Sequence, residues 1–319
     1  ALAVATMIIC AVGVFIDIAV ITVAPIALAI GERAGLSKSG ILLAMIGGGK
    51  AGNIVSPNPN TIAVTEAFQL DLTAVMLKNL IPAICALIAT IVLASLLAKK
   101  AGDGISQNDL EAAPAEKLPN ALQAFAGPLT VIVLLALRPL AKISVDPMIA
   151  LPLGGLVCIL VTGNIRNLIP YTDFGLSKVI GVAILLIGTG TIAGIIKASA
   201  LQKDMTTLLS AMNMPAFILA PLSGILMAAA TASTTAGSTV ASQTFSGTLL
   251  SAGVPALSAA AMIHAGATVL DSLPHGSFFH ATGGSVYMDI KNRMKLIPFE
   301  ALIGLTSTIV AVILYLVTA

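Results

Sequence analysis

Met45-Ile46-Gly47-Gly48-Gly49-Lys50-Ala51-Gly52-Asn53-Ile54-Val55-Ser56-Pro57-Asn58-Pro59-Asn60-Thr61 begins as an apolar helix and ends in prolines and amides. Met262-Ile263-His264-Ala265-Gly266 runs in the same way into Asp271-Ser272-Leu273-Pro274-His275-Gly276-Ser277, with the same spacing at an offset of 217 residues. A proline inside such a run removes a backbone donor and frees upstream carbonyls, so each helix must break at this point. Two matching breaks in one chain indicate an internal repeat whose copies meet around a shared site.

The surroundings of these breaks are apolar. Hydrophobic residues make up 57% of the 319 residues and charged residues 9%, with a mean hydropathy of +1.03. A soluble domain of this size cannot bury so much apolar surface, so the composition predicts an all-α polytopic membrane protein. A net charge of +2 gives no footprint for nucleic acid. Cys10, Cys85 and Cys158 are scattered through apolar runs without metal or disulfide spacing, as small packing residues would be. The chain opens at Ala1 inside a hydrophobic run, and the second copy has upstream elements that the first lacks. A chain missing part of its N-terminal region is therefore expected.

A helix needs about 20 apolar residues to cross the hydrocarbon core. Crossings are expected near 37–62 and 254–281, both broken, and near 77–98, 121–138, 147–163, 179–197 and 299–318. The polar segment 99–120 reads as a linker between a first repeat, 1–98, and a second, 121–319. Segments 1–31 and 215–251 are too long for one crossing and have polar middles, so both are expected to be re-entrant hairpins. Backbone at such a tip must be buried in protein or line a wet cavity. With both segments as hairpins, five crossings separate equivalent points in the two breaks, which makes the repeats inverted.

Arg33, Lys38, Lys99, Lys100, Lys117, Arg166, Lys178, Lys291, Arg293 and Lys295 fall on one side of this topology. Lys78, Arg138, Lys142, Lys197 and Lys203 fall on the other. The richer side is expected to be cytoplasmic.

Ionisable side chains at membrane depth are expensive and are functional candidates by default. Asp17 occupies the first hairpin tip, as a cation or proton site or as a structural carboxylate. Lys50 precedes the first break, either to hold a substrate carboxylate or replace a coupling cation, or as the partner of Asp17 or Asp271. The glycines around it lack the Gly-Lys-Ser/Thr ending of a phosphate loop. Asn58, Asn60 and Thr61 offer neutral hydrogen bonds suited to hydroxyl groups, beside carbonyls freed by the prolines. In the second break Asp271 and His275 are placed to share a proton or a cation, with Ser272 beside them. Pro274 spoils the register a metal site would use, so no metal site is expected, and His264 reads as an interhelical hydrogen-bonding group. The second hairpin tip, Thr231 to Thr244, is dense in hydroxyls and small residues and contains Gly237, Ser238 and Thr239.

At these places the chain resembles the gluconate permease family of proton-coupled sugar-acid symporters, within the wider ion transporter superfamily. Val14-Phe15-Ile16-Asp17-Ile18-Ala19-Val20 is similar to that family's Phe-Phe-Asp-Val-Gly-Phe-Val, and Pro57-Asn58-Pro59-Asn60 to its Pro-His-Pro-Gly. Gly188–Gly194 with Lys197-Ala198-Ser199 resembles its Gly-rich helix, and Gly237-Ser238-Thr239-Val240-Ala241 its Gly-Ser-Ala-Thr-Val-Ala. Leu270-Asp271-Ser272-Leu273-Pro274-His275 is closer to a branch reading Leu-Asp-Thr-Leu-Pro-His; with Asn58 standing where gluconate permeases have His, the expected substrate is as much a shorter hydroxy acid such as 3-hydroxybutyrate, or another small carboxylate, as gluconate.

The resemblance implies an elevator-type secondary transporter of a bacterial inner membrane, acting as a homodimer on a small organic anion. It implies proton drive and no cofactor. Asp17, Asp271 and His275 are the expected coupling residues. Lys50, Asn58, Asn60, Thr61, Gly237, Ser238, Thr239 and Ser272 are the expected substrate contacts. Sodium coupling on the same fold is the alternative, and a passive channel a weaker one. An enzyme is not expected, because neither His-Glu-x-x-His nor Gly-x-Ser-x-Gly occurs.

Overall fold

A computed structural model describes residues 1–99, 104–106, 109–110, 120–141, 143, 145–211 and 215–318. Lys100, Lys117 and Lys142, and most of the linker 99–120, lie outside the described residues. Those described are helical, with no strand among them and one isolated bridge between Ser37 and Gly104. The protein is all-α.

The chain forms two compact units, one made of 1–112 with 188–319 and the other of 113–187. The first unit contains α1 (Leu2–Ala11), α2 (Ile16–Arg33), α3 (Lys38–Asn53), α4 (Pro59–Phe68), α5 (Leu72–Lys78) and α6 (Leu80–Ala98). The second contains α7 (Ala121–Ala141) and α8 (Pro147–Val161), which approach closely where Gly127 faces Gly154 and Cys158. Helix α9 (Leu168–Ala198) carries the chain back to the first unit, which continues with α10 (Leu201–Ala211), α11 (Leu219–Thr231), α12 (Thr234–Ser251) and α13 (Ala256–Gly266). It ends with α14 (Ser277–Gly284), α15 (Ile290–Met294) and α16 (Ile297–Thr318). The starts of α1 to α6 return 217 or 218 residues later as the starts of α11 to α16.

Glycines set how these helices meet. Gly48 lies against the Ala3 carbonyl and Gly52 against that of Met7, so α1 runs parallel to α3. Gly49 faces Ile16, and Gly31 faces Ile41, so α2 runs antiparallel to α3. Helices α1 and α2 therefore form a hairpin whose tip stands beside the end of α3. Helices α11 and α12 form a second hairpin, drawn tight where Gly237 meets Ala228; a Cβ there would sit 2.5 Å from the Ala228 Cα. Ala232 turns this tip at a left-handed φ of 46°, with its side chain against Gly276 of the second break. Each hairpin also packs on the opposite break: α2 on α14, and α12 on α4.

Helix α6 shows the medium around the fold. Its buried side carries Pro82, Ala83, Ala86, Thr90 and Ala94, with Leu97 in its last turn, whereas Ile81, Ile84, Ile88, Ile91, Val92 and Leu96 are exposed. Small residues inside and large apolar ones outside invert the pattern of a water-soluble helix and fit a lipid-facing one. Among the described residues, Leu80–Ala98 and Ile290–Thr318 are each long and apolar enough to cross a membrane. Helices α7 and α8 carry the shorter apolar stretches Leu122–Leu137 and Met148–Val161. The crossing expected at 77–98 begins instead at Leu80, because Asn79 separates the short α5 from α6. The one expected at 179–197 is the end of the longer α9.

Candidate functional site

The first break is held together by its own amides. Helix α3 stops at Asn53, and α4 starts at Pro59, whose missing N–H costs nothing in the first helical turn. Asn58 caps both ends. Its Nδ2 donates to the Asn53 carbonyl at 2.9 Å and to Asn53 Oδ1 at 2.5 Å. Its Oδ1 accepts from the Thr61 amide at 3.1 Å. Thr61 Oγ1 donates to the freed Ser56 carbonyl at 2.7 Å. Asn60 Nδ2 donates to Asn53 Oδ1 at 2.9 Å, and its own Oδ1 accepts from Thr235 Oγ1 at 2.5 Å. The second hairpin is thereby tied to the first break.

The second break is built around a carboxylate. Helix α13 ends at Gly266, and the chain is irregular from Leu270 to Gly276. Asp271 is buried; its Oδ1 lies 2.6 Å from Lys50 Nζ and accepts from Ser272 Oγ at 3.0 Å. Its Oδ2 accepts from Thr234 Oγ1, in the first turn of α12, at 2.6 Å. Lys50 also donates to the Thr268 carbonyl at 2.6 Å and reaches the Glu300 carbonyl at 3.5 Å. Asp271 thus joins the first broken helix to the second and both to the hairpin tip. A pair this deeply buried must satisfy its charges internally, and here every oxygen of the carboxylate has a donor.

A second buried ion pair lies beside the first. Arg293 grips both carboxylate oxygens of Glu300, donates from Nε to the Phe279 carbonyl at 3.3 Å, and stands 4.8 Å from the centre of the Phe279 ring. Glu300 therefore touches both pairs, Arg293 through its carboxylate and Lys50 through its carbonyl.

Among the described residues, Asn53 Nδ2, Ser56 Oγ and Thr239 Oγ1 are buried polar atoms of the first break and the second hairpin with no protein partner. The first two sit in the first break, and Thr239 is one helical turn beyond Thr235. Buried polar groups are normally paired, so unpaired ones are open to a ligand. Ser238 is buried and donates back to the Thr235 carbonyl at 3.3 Å.

The remaining expected residues stand apart from this network. Asp17 is half-buried in the first turn of α2, where its Oδ1 accepts from the Ile18 amide at 2.9 Å; it has no bond to Lys50 or Asp271. His275 is exposed and makes no bond to Asp271. His264, expected to bond between helices, is fully buried with both ring nitrogens unpartnered. Sequence reasoning passed over Asn53, Thr234, Thr235, Thr268 and the pair Arg293–Glu300. An available signal was Glu300 itself, an acid in the first turn of an apolar helix seven residues after an arginine.

No family model matches the chain, and no solved structure matches it. It is similar to an uncharacterized transporter of Haemophilus influenzae, at 57% identity over 315 residues, which cover 99% of this chain and 75% of that protein. With that identity and coverage, and with helices whose large apolar residues face outward, the chain belongs to the membrane transporter family of that Haemophilus influenzae protein.

Proposed function

We propose that this protein is a secondary active transporter that carries a small hydroxylated organic acid together with a proton. One observation carries the reading: the buried carboxylate of Asp271 is held at once by Lys50 from one broken helix and Thr234 from a hairpin tip. A proton arriving on Asp271 weakens its hold on Lys50 and leaves an ammonium for the substrate carboxylate. Proton and anion then enter the site together without adding net charge to it, and each raises the affinity for the other because linkage is reciprocal. Asn60, Thr61, Ser238, Thr239 and Ser272, with the unpaired Asn53 Nδ2 and Ser56 Oγ, supply hydrogen bonds for hydroxyl groups. Asn58 holds the break in shape and Gly237 lets the hairpin close. Asp17 and His275 serve as further proton-handling groups at the tip and rim of the site.

The architecture proposed for this activity is a pair of inverted repeats with two re-entrant hairpins. The recurrence of six helix starts at 217 or 218 residues supports it, as does the packing of each hairpin on the opposite break. The hairpins and breaks move as one body in an elevator-like step, in a homodimer in the bacterial inner membrane. The chain's substrate is a gluconate- or 3-hydroxybutyrate-like carboxylate. Uptake of both labelled acids into proteoliposomes of the full-length protein tests this, with and without an inward proton gradient and with sodium exchanged for choline. Proton-driven accumulation in either cation supports the reading. Uptake that follows sodium alone replaces the coupling ion, and unsaturable flux indifferent to both gradients replaces the symporter with a channel.

A further inference from the structure

Lys50 is bound as an ion in a coordination site would be. Its Nζ has the Thr268 carbonyl and Asp271 Oδ1 each at 2.6 Å and the Glu300 carbonyl at 3.5 Å. The Thr268 carbonyl is available because α13 stops at Gly266, so no following turn supplies its helical donor. Its approach depends on Gly304, where a Cβ would lie 2.5 Å from that oxygen. The Asp271 carboxylate is anchored independently of the lysine by Thr234 and Ser272, and the Glu300 side chain is held by Arg293.

We infer that Thr268 O, Asp271 and Glu300 O form a seat for a monovalent cation that this chain fills with its own ammonium. One positive charge fits, because it replaces Lys50 at equal charge against the single carboxylate. A divalent ion would leave an excess charge in a dry interior. Lys50 is thus a tethered cation, which makes the closed site independent of sodium. The inference stands apart from the symport reading, since it concerns what holds the site together and is tested by binding.

The test is thermal unfolding of the full-length protein in detergent, at fixed pH and ionic strength, in sodium, potassium or choline chloride. Lys50→Met removes the ammonium and leaves the seat's oxygens without their cation. Its melting midpoint is expected to rise by a few degrees with sodium or potassium over choline and to climb with the logarithm of concentration. Wild type and Lys50→Met/Asp271→Asn are expected to show no such difference. If Lys50→Met aggregates in choline, recovery when it is purified throughout in sodium or potassium counts for the seat, and equal loss in every salt counts against it. A stable Lys50→Met that is blind to the cation, or rescued only by lowering the pH, overturns the inference. So does a wild type that responds to sodium as strongly as the variant.

Discussion

Thr235 Oγ1 donates to Asn60 Oδ1 at 2.5 Å across 175 residues of sequence, and this bond ties the second hairpin tip to the first break. Asn60 in turn rests on Asn53, which is bound by Asn58. A load on the hairpin is therefore transmitted to the cap that holds α3 and α4 in line. Thr235→Val keeps the shape and removes the donor, leaving a buried amide oxygen unpaired at about 1–3 kcal/mol. Initial uptake in proteoliposomes is expected to fall by about tenfold, with Thr235→Ser close to wild type. Equal rates for Val and wild type would show that the bond has no part in transport.

Lys50 and Asp271 are expected to be strongly non-additive. Lys50→Met or Asp271→Leu alone strands a buried charge, at about 3–5 kcal/mol. The double variant strands none and is expected to recover most of that loss in thermal or denaturant unfolding, while remaining inactive in uptake. Two single losses that simply add would mean that the charges do not depend on one another.

The glycines give a packing prediction with an internal control. At Gly237 a methyl group would press on the Ala228 backbone, 2.5 Å from its Cα and 2.6 Å from its nitrogen. Gly247, on the same helix, has nothing within 4 Å of the same position. Gly237→Ala is expected to destabilise by about 1–3 kcal/mol through overpacking and to lower uptake, whereas Gly247→Ala gains helix propensity and leaves uptake unchanged. Comparable melting temperatures for the two variants would remove hairpin closure at Gly237 as a constraint.

How much of this was legible beforehand differs between backbone and side chains. Prolines and glycines act on their own chain, so the breaks at Pro57–Pro59 and Pro274, and the hairpins with tips near Asp17 and Ser233, could be read from the sequence. Which polar groups meet is decided by packing between distant segments. Three partners of Lys50 were open to sequence reasoning: Asp17, Asp271 or a ligand. The choice of Asp271 follows from how α3 and the second break pack. Thr234 was hidden among many hydroxyls of one tip, and Arg293 had the look of an ordinary loop charge until Glu300 and Phe279 enclosed it.

Outside the apolar body, Asp109 pairs with Lys38 at 2.8 Å and accepts from Ser106, holding this polar stretch to the start of α3. The hydrogen bond from Lys38, followed by that from the Ser106 backbone, keeps the Asp109 carboxyl below the usual carboxylate range. A carboxyl with a lowered pKa in the folded state stabilises it fully above the unfolded value of about 3.9. That contribution fades as pH falls through the folded value. Hydrogen exchange at 104–106 and 109–110 is therefore expected to be slow near neutrality and to accelerate, beyond its intrinsic pH dependence, only in acid. Lys38→Gln should exchange faster already at neutral pH, and the same profile in both proteins would leave the pair without a holding role.

Arg293 and Lys50 are expected to be coupled through one residue although neither touches the other's carboxylate. Glu300 offers its side chain to Arg293 and its carbonyl to Lys50, so a shift of Glu300 alters both pairs. Arg293→Lys removes the planar fork and the contact over the Phe279 ring, neither of which a lysine reproduces. Because the charge is kept, it is expected to destabilise by less than the roughly 3–5 kcal/mol of Arg293→Met, which strands the Glu300 carboxylate. Glu300 would then be free to tilt, loosening the carbonyl it presents to Lys50. A cycle of Arg293→Met, Lys50→Met and the double variant should give an interaction energy of at least about 0.5 kcal/mol in unfolding. Additivity within error would mean that the two ion pairs share a helix and nothing more.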